Sequence, residues 1–260
     1  MAEPSFEDHF SALSADYATY RPRYPRALFA WLAGLSPQRN VAWDCATGSG
    51  QAAVALAPHF ARVLASDAAA AQIAAALPAA GVEYAVFPAE QTPLPPGSVD
   101  LVTIAQALHW FEHGRFFAEV QRVLVPGGVV AAWTYQLFQV EPVIDGIIYD
   151  WYRGALDPHW PAGRRHVEAG YRTITFPFEP VEAVPAFEME AHWRLGDALG
   201  YLGTWSAVQR YRDARGEDPV DLIRPALARA WGDPEVTRKV VWPLSLLVGR
   251  TCASDGAPHG

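Results

Sequence analysis

The chain has 260 residues, 51% of them hydrophobic, and a formal charge of −8, which supplies apolar material for one well-buried core. The acidic balance, with no run of Lys or Arg, excludes a large nucleic-acid or acidic-membrane footprint, because such surfaces work by neutralising phosphates; a small-molecule partner is expected. Two cysteines, Cys45 and Cys252, make no metal-binding cluster, and neither a signal peptide nor an apolar run of about 18 residues is read, so a metal-free cytoplasmic protein is expected.

From residue 41 onward the sequence alternates short β-rich runs with Ala-rich helical stretches, the pattern of a parallel sheet covered by helices. Residues 41–44 (Val-Ala-Trp-Asp) predict the first strand and 51–56 its helix. A second strand over 63–67 is followed by a helix over 68–77, favoured by its alanines. A third strand spans 82–87. The turn at 93–98 (Pro-Leu-Pro-Pro-Gly-Ser) leads into a fourth strand at 99–104, apolar enough to be buried on both faces. A helix over 115–124 ends at Pro126-Gly127-Gly128, and 129–133 is the fifth strand.

Beyond Tyr135 the composition turns to Trp, Tyr, Arg and Pro, with helices predicted over 143–152 and 220–231 and strands over 187–193 and 240–249. Pro243 in the last of these favours an edge or a bulge. The whole predicts a doubly wound, mostly parallel α/β sheet of seven strands with helices on both faces and an antiparallel last strand. A single domain covers 1–250: an N-terminal helical cap at 1–35, βα units at 41–135, a lid or insertion at 136–236, and a final strand at 237–250. A loose tail follows at 251–260.

Asp44-Cys45-Ala46-Thr47-Gly48-Ser49-Gly50 lies between the first strand and its helix. Glycines there let the backbone approach a ligand, and a helix N-terminus offers free N–H groups. Asp67 ends the second strand, 17 residues after Gly50. That is close to the spacing at which an acidic side chain accepts hydrogen bonds from ribose hydroxyls. Gly48-x-Gly50-x-x-Ala53 also satisfies the dinucleotide pattern, so an NAD(P)-dependent oxidoreductase stays open as an alternative. Asp44 tips the balance, because a carboxylate at the strand end suits a cationic amino group better than a pyrophosphate.

With these segments in view, the chain resembles the class I S-adenosylmethionine-dependent methyltransferases, whose first motif is D-x-G-x-G-x-G after the first strand. Within them it is similar to the subgroup containing trans-aconitate methyltransferase. The likeness extends to Tyr17-Ala18-Thr19-Tyr20-Arg21-Pro22-Arg23-Tyr24-Pro25 before the sheet, Ala89-Glu90-x-x-Pro93-Leu94 after the third strand, Ala105-Gln106-Ala107-Leu108-His109-Trp110-Phe111 after the fourth, and Leu124-x-Pro126-Gly127-Gly128 before the fifth. Two positions depart: Ala46 stands where the family usually has its first motif glycine, and Pro88 where it often has an Asp for the adenine amino group.

The resemblance implies S-adenosylmethionine as cofactor, S-adenosylhomocysteine as product and a small-molecule acceptor, with a carboxylate among the candidates. It implies that Tyr17 and Arg21 close over the cofactor carboxylate, a task for which the planar Arg fork is suited. Asp44, Ala46, Thr47, Gly48, Gly50 and Asp67 form the cofactor loop and ribose site. Ala89 and Glu90 flank adenine, and the backbone at Gln106 and Ala107 runs past the methionine part. His109 is the candidate catalytic residue: a base if the acceptor must lose a proton, a positioning group if the acceptor is already a carboxylate. His109, Trp110, Trp205 and Arg210 are the candidate substrate residues, and no metal is expected. A non-catalytic module retaining the cofactor site is the third reading.

Overall fold

The computed structural model describes residues 22–252. Tyr17 and Arg21 lie outside the described residues. Within them the chain forms two compact units: Tyr24–Gln136 with Arg165–Glu188 and the chain from Pro243, and Leu137–Arg164 with Met189–Trp242.

The first unit holds α1 (Arg26–Leu35), β1 (Val41–Cys45), α2 (Gln51–Leu56), β2 (Arg62–Asp67), α3 (Ala70–Ala74), β3 (Val82–Val86), β4 (Val99–Ala105), a 3-10 turn (Leu108–Trp110), α4 (His113–Val123) and β5 (Leu124–Tyr135). Strands β1 to β5 run parallel in the order β3-β2-β1-β4-β5. All of β4 but its last residue is buried, as its uninterrupted apolar run requires, because helices cover both faces. On one face α1 contributes Leu28, Phe29 and Leu32, and α2 contributes Ala52, Ala53 and Leu56. On the other, α4 contributes Phe116, Phe117, Val120 and Val123, joined by Val167, Tyr171, Ile174 and Phe178.

The second unit contains α5 (Pro142–Arg153), and the chain then passes through α6 (Arg164–Glu168), β6 (Glu179–Pro180) and β7 (Glu188–Trp193) to α7 (Leu195–Gly203), α8 (Ser206–Arg215), α9 (Val220–Trp231) and β8 (Arg238–Arg250). In this unit α9 packs on α5 and α7. Aromatic rings fill it: Phe138 meets Trp193, Tyr201 and Trp242 at centroid separations of 5.6–5.7 Å. From Leu244 onward β8 runs antiparallel to β5. Pro243 falls where the strand passes from one unit to the other, just before that ladder begins, so its missing N–H costs no pairing with β5.

Among the described residues the sheet has eight strands where the sequence predicts seven, the addition being the two-residue β6 on β8. Two other predicted elements move. The helix expected over 68–77 contracts to Ala70–Ala74 and buries no side chain, so propensity alone sustains little more than a turn. Strand β5 starts at Leu124 rather than 129, because Leu124 pairs with Val99 and a register shift then carries the ladder on to Leu101 and Val129. No helix among the described residues is long and apolar enough to cross a membrane.

Candidate functional site

Strand order reverses between β1 and β4, so their carboxyl ends diverge into the crevice where open α/β sheets bind ligands. Asp44 and Thr103 are paired across that boundary, and the Thr103 hydroxyl donates to Asp44 Oδ1 at 2.7 Å. The Thr47 hydroxyl donates to Asp44 Oδ2. Asp44 is 1% exposed, and burial raises its carboxyl from 3.8 to about 6 against the pull of both hydroxyls. It therefore sits beneath the loop, as a support. The sequence alone expects it to meet a cationic ligand; in the structure both of its oxygens accept from threonine hydroxyls.

Above it the loop turns tightly. Ala46 (φ 52°), Gly48 (φ 54°) and Gly50 (φ 82°) all occupy the left-handed region. Thr47 N–H donates to Ser66 O on β2 at 2.9 Å, and Gly48 N–H donates to Asp67 Oδ2 at 3.0 Å. Asp67 Oδ1 accepts from Ala69 N–H at 2.9 Å. Gly50 is forced by its surroundings as well as by its φ: a Cβ there would lie 2.3 Å from Tyr84 Oη. At Gly48 the nearest atom to such a Cβ is Gln72 Oε1 at 3.8 Å, so this glycine leaves room beside the loop.

The next edge of the crevice is the segment after β3. Ala89 is buried and Glu90 partly exposed; Glu90 accepts a hydrogen bond from Glu112 N–H at 3.3 Å. Glu119 on α4 anchors this segment. It accepts from the N–H and hydroxyl of Thr92, both at 2.7 Å, and from the forked guanidinium of Arg122 at 2.6 and 2.8 Å. Those contacts hold its carboxyl down from 4.5 to about 2, Arg122 contributing most.

After β4, Gln106 adopts φ 59°. Its N–H donates to Trp133 O at 2.9 Å, and its amide oxygen accepts from Thr134 at 2.7 Å. The side chain is thereby committed to β5, leaving the backbone of Gln106 and buried Ala107 along the crevice side. The 3-10 turn then presents His109, partly exposed, and Trp110, exposed, with ring centroids 4.7 Å apart. His113 Nε2 lies 3.0 Å from Leu108 O, and Glu112 caps α4 through Gly114 and Arg115 N–H. His109 Nδ1 lies 3.0 Å from the hydroxyl of Tyr171, a residue that the sequence assigns to the insertion and the structure assigns to the first unit.

Trp205 and Arg210 belong to the second unit. Trp205 packs among Trp151, Tyr152, Trp160 and Tyr201 at 5.7–6.1 Å. Arg210 lies partly exposed on α8. The structure thus gathers Asp44, Ala46, Thr47, Gly48, Gly50 and Asp67 around one loop, and Gln106 to Trp110 at the end of β4. Tyr171 is the addition that sequence reading misses.

These features suit a nucleoside carrying an amino-acid tail. The Asp67 carboxylate has lone pairs beyond the two it spends on N–H groups, as a ribose diol requires, and the small residues Ala46, Gly48, Ala89 and Ala107 keep side chains out of the ligand's way. A doubly wound sheet with this loop at its switch point defines a Rossmann-like nucleotide-binding protein.

Comparison with known proteins takes the assignment further. A family model described as a methyltransferase domain matches residues 43–132. A Dictyostelium discoideum protein assigned to the methyltransferases is 30% identical over 240 residues, spanning 91% of each chain. The solved structure of an Anaeromyxobacter dehalogenans protein assigned as a type II methyltransferase is 52% identical, with a TM-score of 0.84, covering 90% of this chain and 99% of that one. The chain belongs to the class I S-adenosylmethionine-dependent methyltransferases, with S-adenosylmethionine as cofactor. The oxidoreductase reading of Gly48-x-Gly50-x-x-Ala53 is overturned by the same relatives.

Proposed function

We propose that the chain methylates an oxygen of a small-molecule acceptor, with a carboxylate as the favoured acceptor group. The observation that carries this reading is the turn Leu108–Trp110 at the carboxyl end of β4, where partly exposed His109 stands beside exposed Trp110. An imidazole flanked by an indole suits a small planar acid, and the charge of −8 disfavours a polyanionic substrate. The resemblance to the trans-aconitate subgroup points the same way.

When bound, S-adenosylmethionine supplies a methyl group activated by its sulfonium. The chain's contribution is then placement. Asp67 receives the ribose hydroxyls, Asp44 holds the loop from beneath, Ala89 and Glu90 border the adenine, and the backbone of Gln106 and Ala107 aligns the amino-acid tail. Alignment and exclusion of water are worth up to about 7–11 kcal/mol in well-oriented reactions, so a large acceleration needs no proton transfer.

The test is transfer from methyl-labelled cofactor into a panel of small carboxylic acids, followed by mild alkali. Carboxyl methyl esters release labelled methanol under alkali, and that release is the expected result. Label in an alkali-stable product overturns the carboxylate reading. S-adenosylhomocysteine binding without transfer to any acceptor in a cell extract would assign the chain a non-catalytic role.

A further inference from the structure

Of the described residues, four other than glycine have backbones in the left-handed region: Ala46, Gln106, Tyr171 and Ala183. Gln106, at φ 59°, stands where the chain leaves β4, one residue beyond Ala105. A side chain in this region disfavours the conformer by about fivefold to thirtyfold, a cost that glycine would avoid. Such strain persists only where the surroundings over-determine it. At Gln106 the surroundings are three successive residues of β5. Its N–H donates to Trp133 O at 2.9 Å, its Oε1 accepts from Thr134 Oγ1 at 2.7 Å, and its Nε2 donates to Tyr135 O at 3.4 Å.

The orientation of the amide follows from its partners. Tyr135 O is a backbone carbonyl and can only accept, so the nitrogen end of the amide faces it and the oxygen end faces Thr134. The Thr134 hydroxyl is therefore the donor. Thr134 is fully buried, within a run from Gly128 to Tyr135 that is buried throughout. A buried hydroxyl needs a partner, and this one spends its proton on a side chain 28 residues away. The corner at the end of β4 is thus tied to β5 by its main chain and by both ends of its side-chain amide.

We propose that Thr134 is a positioning residue for the cofactor: through the Gln106 side chain it holds the backbone at the end of β4 in the left-handed conformer that aligns the amino-acid tail. The inference rests on the reading that the backbone of Gln106 and Ala107 lines that tail. A glycine at this corner would adopt the same φ without strain, but it would also sample other conformers freely. Glutamine carries its own lock, and Thr134 is the buried catch. A ligand that meets a backbone already in its binding conformer is spared the cost of selecting it.

Calorimetry with S-adenosylhomocysteine tests this in two backgrounds. Thr134→Val keeps the branched shape and removes the donor, so affinity should fall by about threefold to tenfold, the worth of one neutral hydrogen bond. Thr134→Ser keeps the donor and should restore binding. In a Gln106→Gly chain, which has no side chain to tie, adding Thr134→Val should change affinity by less than about twofold, because the interaction that couples the two positions is already gone. Equal weakening in both backgrounds, a loss shared by Thr134→Ser, or no loss at all overturns the proposal. One measurement needs no Thr134 variant to fold: the Gln106 side-chain amide protons, identified by their disappearance in Gln106→Gly, should exchange with solvent at least about tenfold more slowly than those of an exposed glutamine. Exchange at the exposed rate overturns the tie. The backbone amide signal of Ala107 in wild-type protein separates this inference from the reading beneath it. A shift on S-adenosylhomocysteine binding, with Thr134→Val still at full affinity, overturns the role of Thr134 alone; no shift removes the tail from this backbone and the inference with it.

Discussion

Gly48 N–H donates to the Asp67 carboxylate at 3.0 Å, across 19 residues of sequence. The motif loop and the end of β2 are therefore one unit before any ligand arrives, and Asp67, the proposed ribose acceptor, is also a strut. Asp67→Ala removes both. Cofactor affinity should fall by tenfold to a hundredfold, since each hydrogen bond to a charged group is worth about 1.5–3 kcal/mol, and the cofactor-free protein should also lose about 1–2 kcal/mol of stability. Calorimetry with S-adenosylhomocysteine and denaturant unfolding separate the two. Unchanged affinity would remove Asp67 from the ribose site.

Gly50→Ala should destabilise the protein by at least about 2 kcal/mol. The left-handed backbone alone costs about 1–2 kcal/mol with a side chain, and the new Cβ would sit 2.3 Å from Tyr84 Oη. The phenol must then move and give up its 2.6 Å bond to Leu77 O. Tyr84→Phe in the same chain removes the shortest contact but leaves ring carbons 3.1 Å from the Cβ and the backbone strain, so the double variant should recover only part of the loss. Full recovery would show that φ carries no cost there.

The five βα units and their loop were legible because each rests on local signals: a short apolar strand, a glycine turn, an Ala-rich helix. Register was less so. The pairing of Leu124 with Val99 skips Asp100 before resuming at Leu101, and no local pattern around Pro126-Gly127-Gly128 announces it. Asp44 was legible as a strand-end carboxylate, but whether it faces the crevice or the sheet is decided by Thr103 on a neighbouring strand, 59 residues away. Tyr171 was illegible for the same reason at greater range. Its sequence context shows one more aromatic in an aromatic-rich stretch, and only the tertiary turn brings it to His109. Trp205, read as a substrate residue, has four aromatic neighbours in the second unit, which composition could hint at but not assign.

Glu119 predicts an acid-sensitive clasp. Its folded carboxyl titrates at about 2 against an ordinary 4.5, so the folded state binds fewer protons than the unfolded one in that window. The stabilisation is complete above about 4.5 and is lost as pH falls toward 2. Glu119→Gln should flatten this part of the stability profile. Glu119→Ala should cost about 2–3 kcal/mol at neutral pH, because Thr92 and Arg122 lose their shared acceptor. It should also weaken S-adenosylhomocysteine binding, since the segment proposed to border the adenine is tied down through Thr92. A stability loss with unchanged affinity would separate the clasp from the cofactor site.

Asp44 titrates in the opposite sense. Burial lifts its folded carboxyl from 3.8 to about 6, so between those values the folded state binds more protons than the unfolded one, and the stability due to this group falls as pH rises from about 4 to about 6. A cation held at the loop reverses the preference, because it favours the ionised carboxylate. On the proposed reading, in which the cofactor lies along this loop, the amino group of its tail is such a cation. Binding should then expel the Asp44 proton, and S-adenosylhomocysteine affinity should rise severalfold between pH 5 and pH 7. Calorimetry at pH 6 in buffers of different ionisation enthalpy measures the released proton directly. Asp44→Asn cannot ionise, so it should abolish the release and level the affinity profile while keeping an oxygen for one of the two threonine hydroxyls. Proton release that persists in Asp44→Asn would assign the titration to another group and reduce Asp44 to a structural support of the loop.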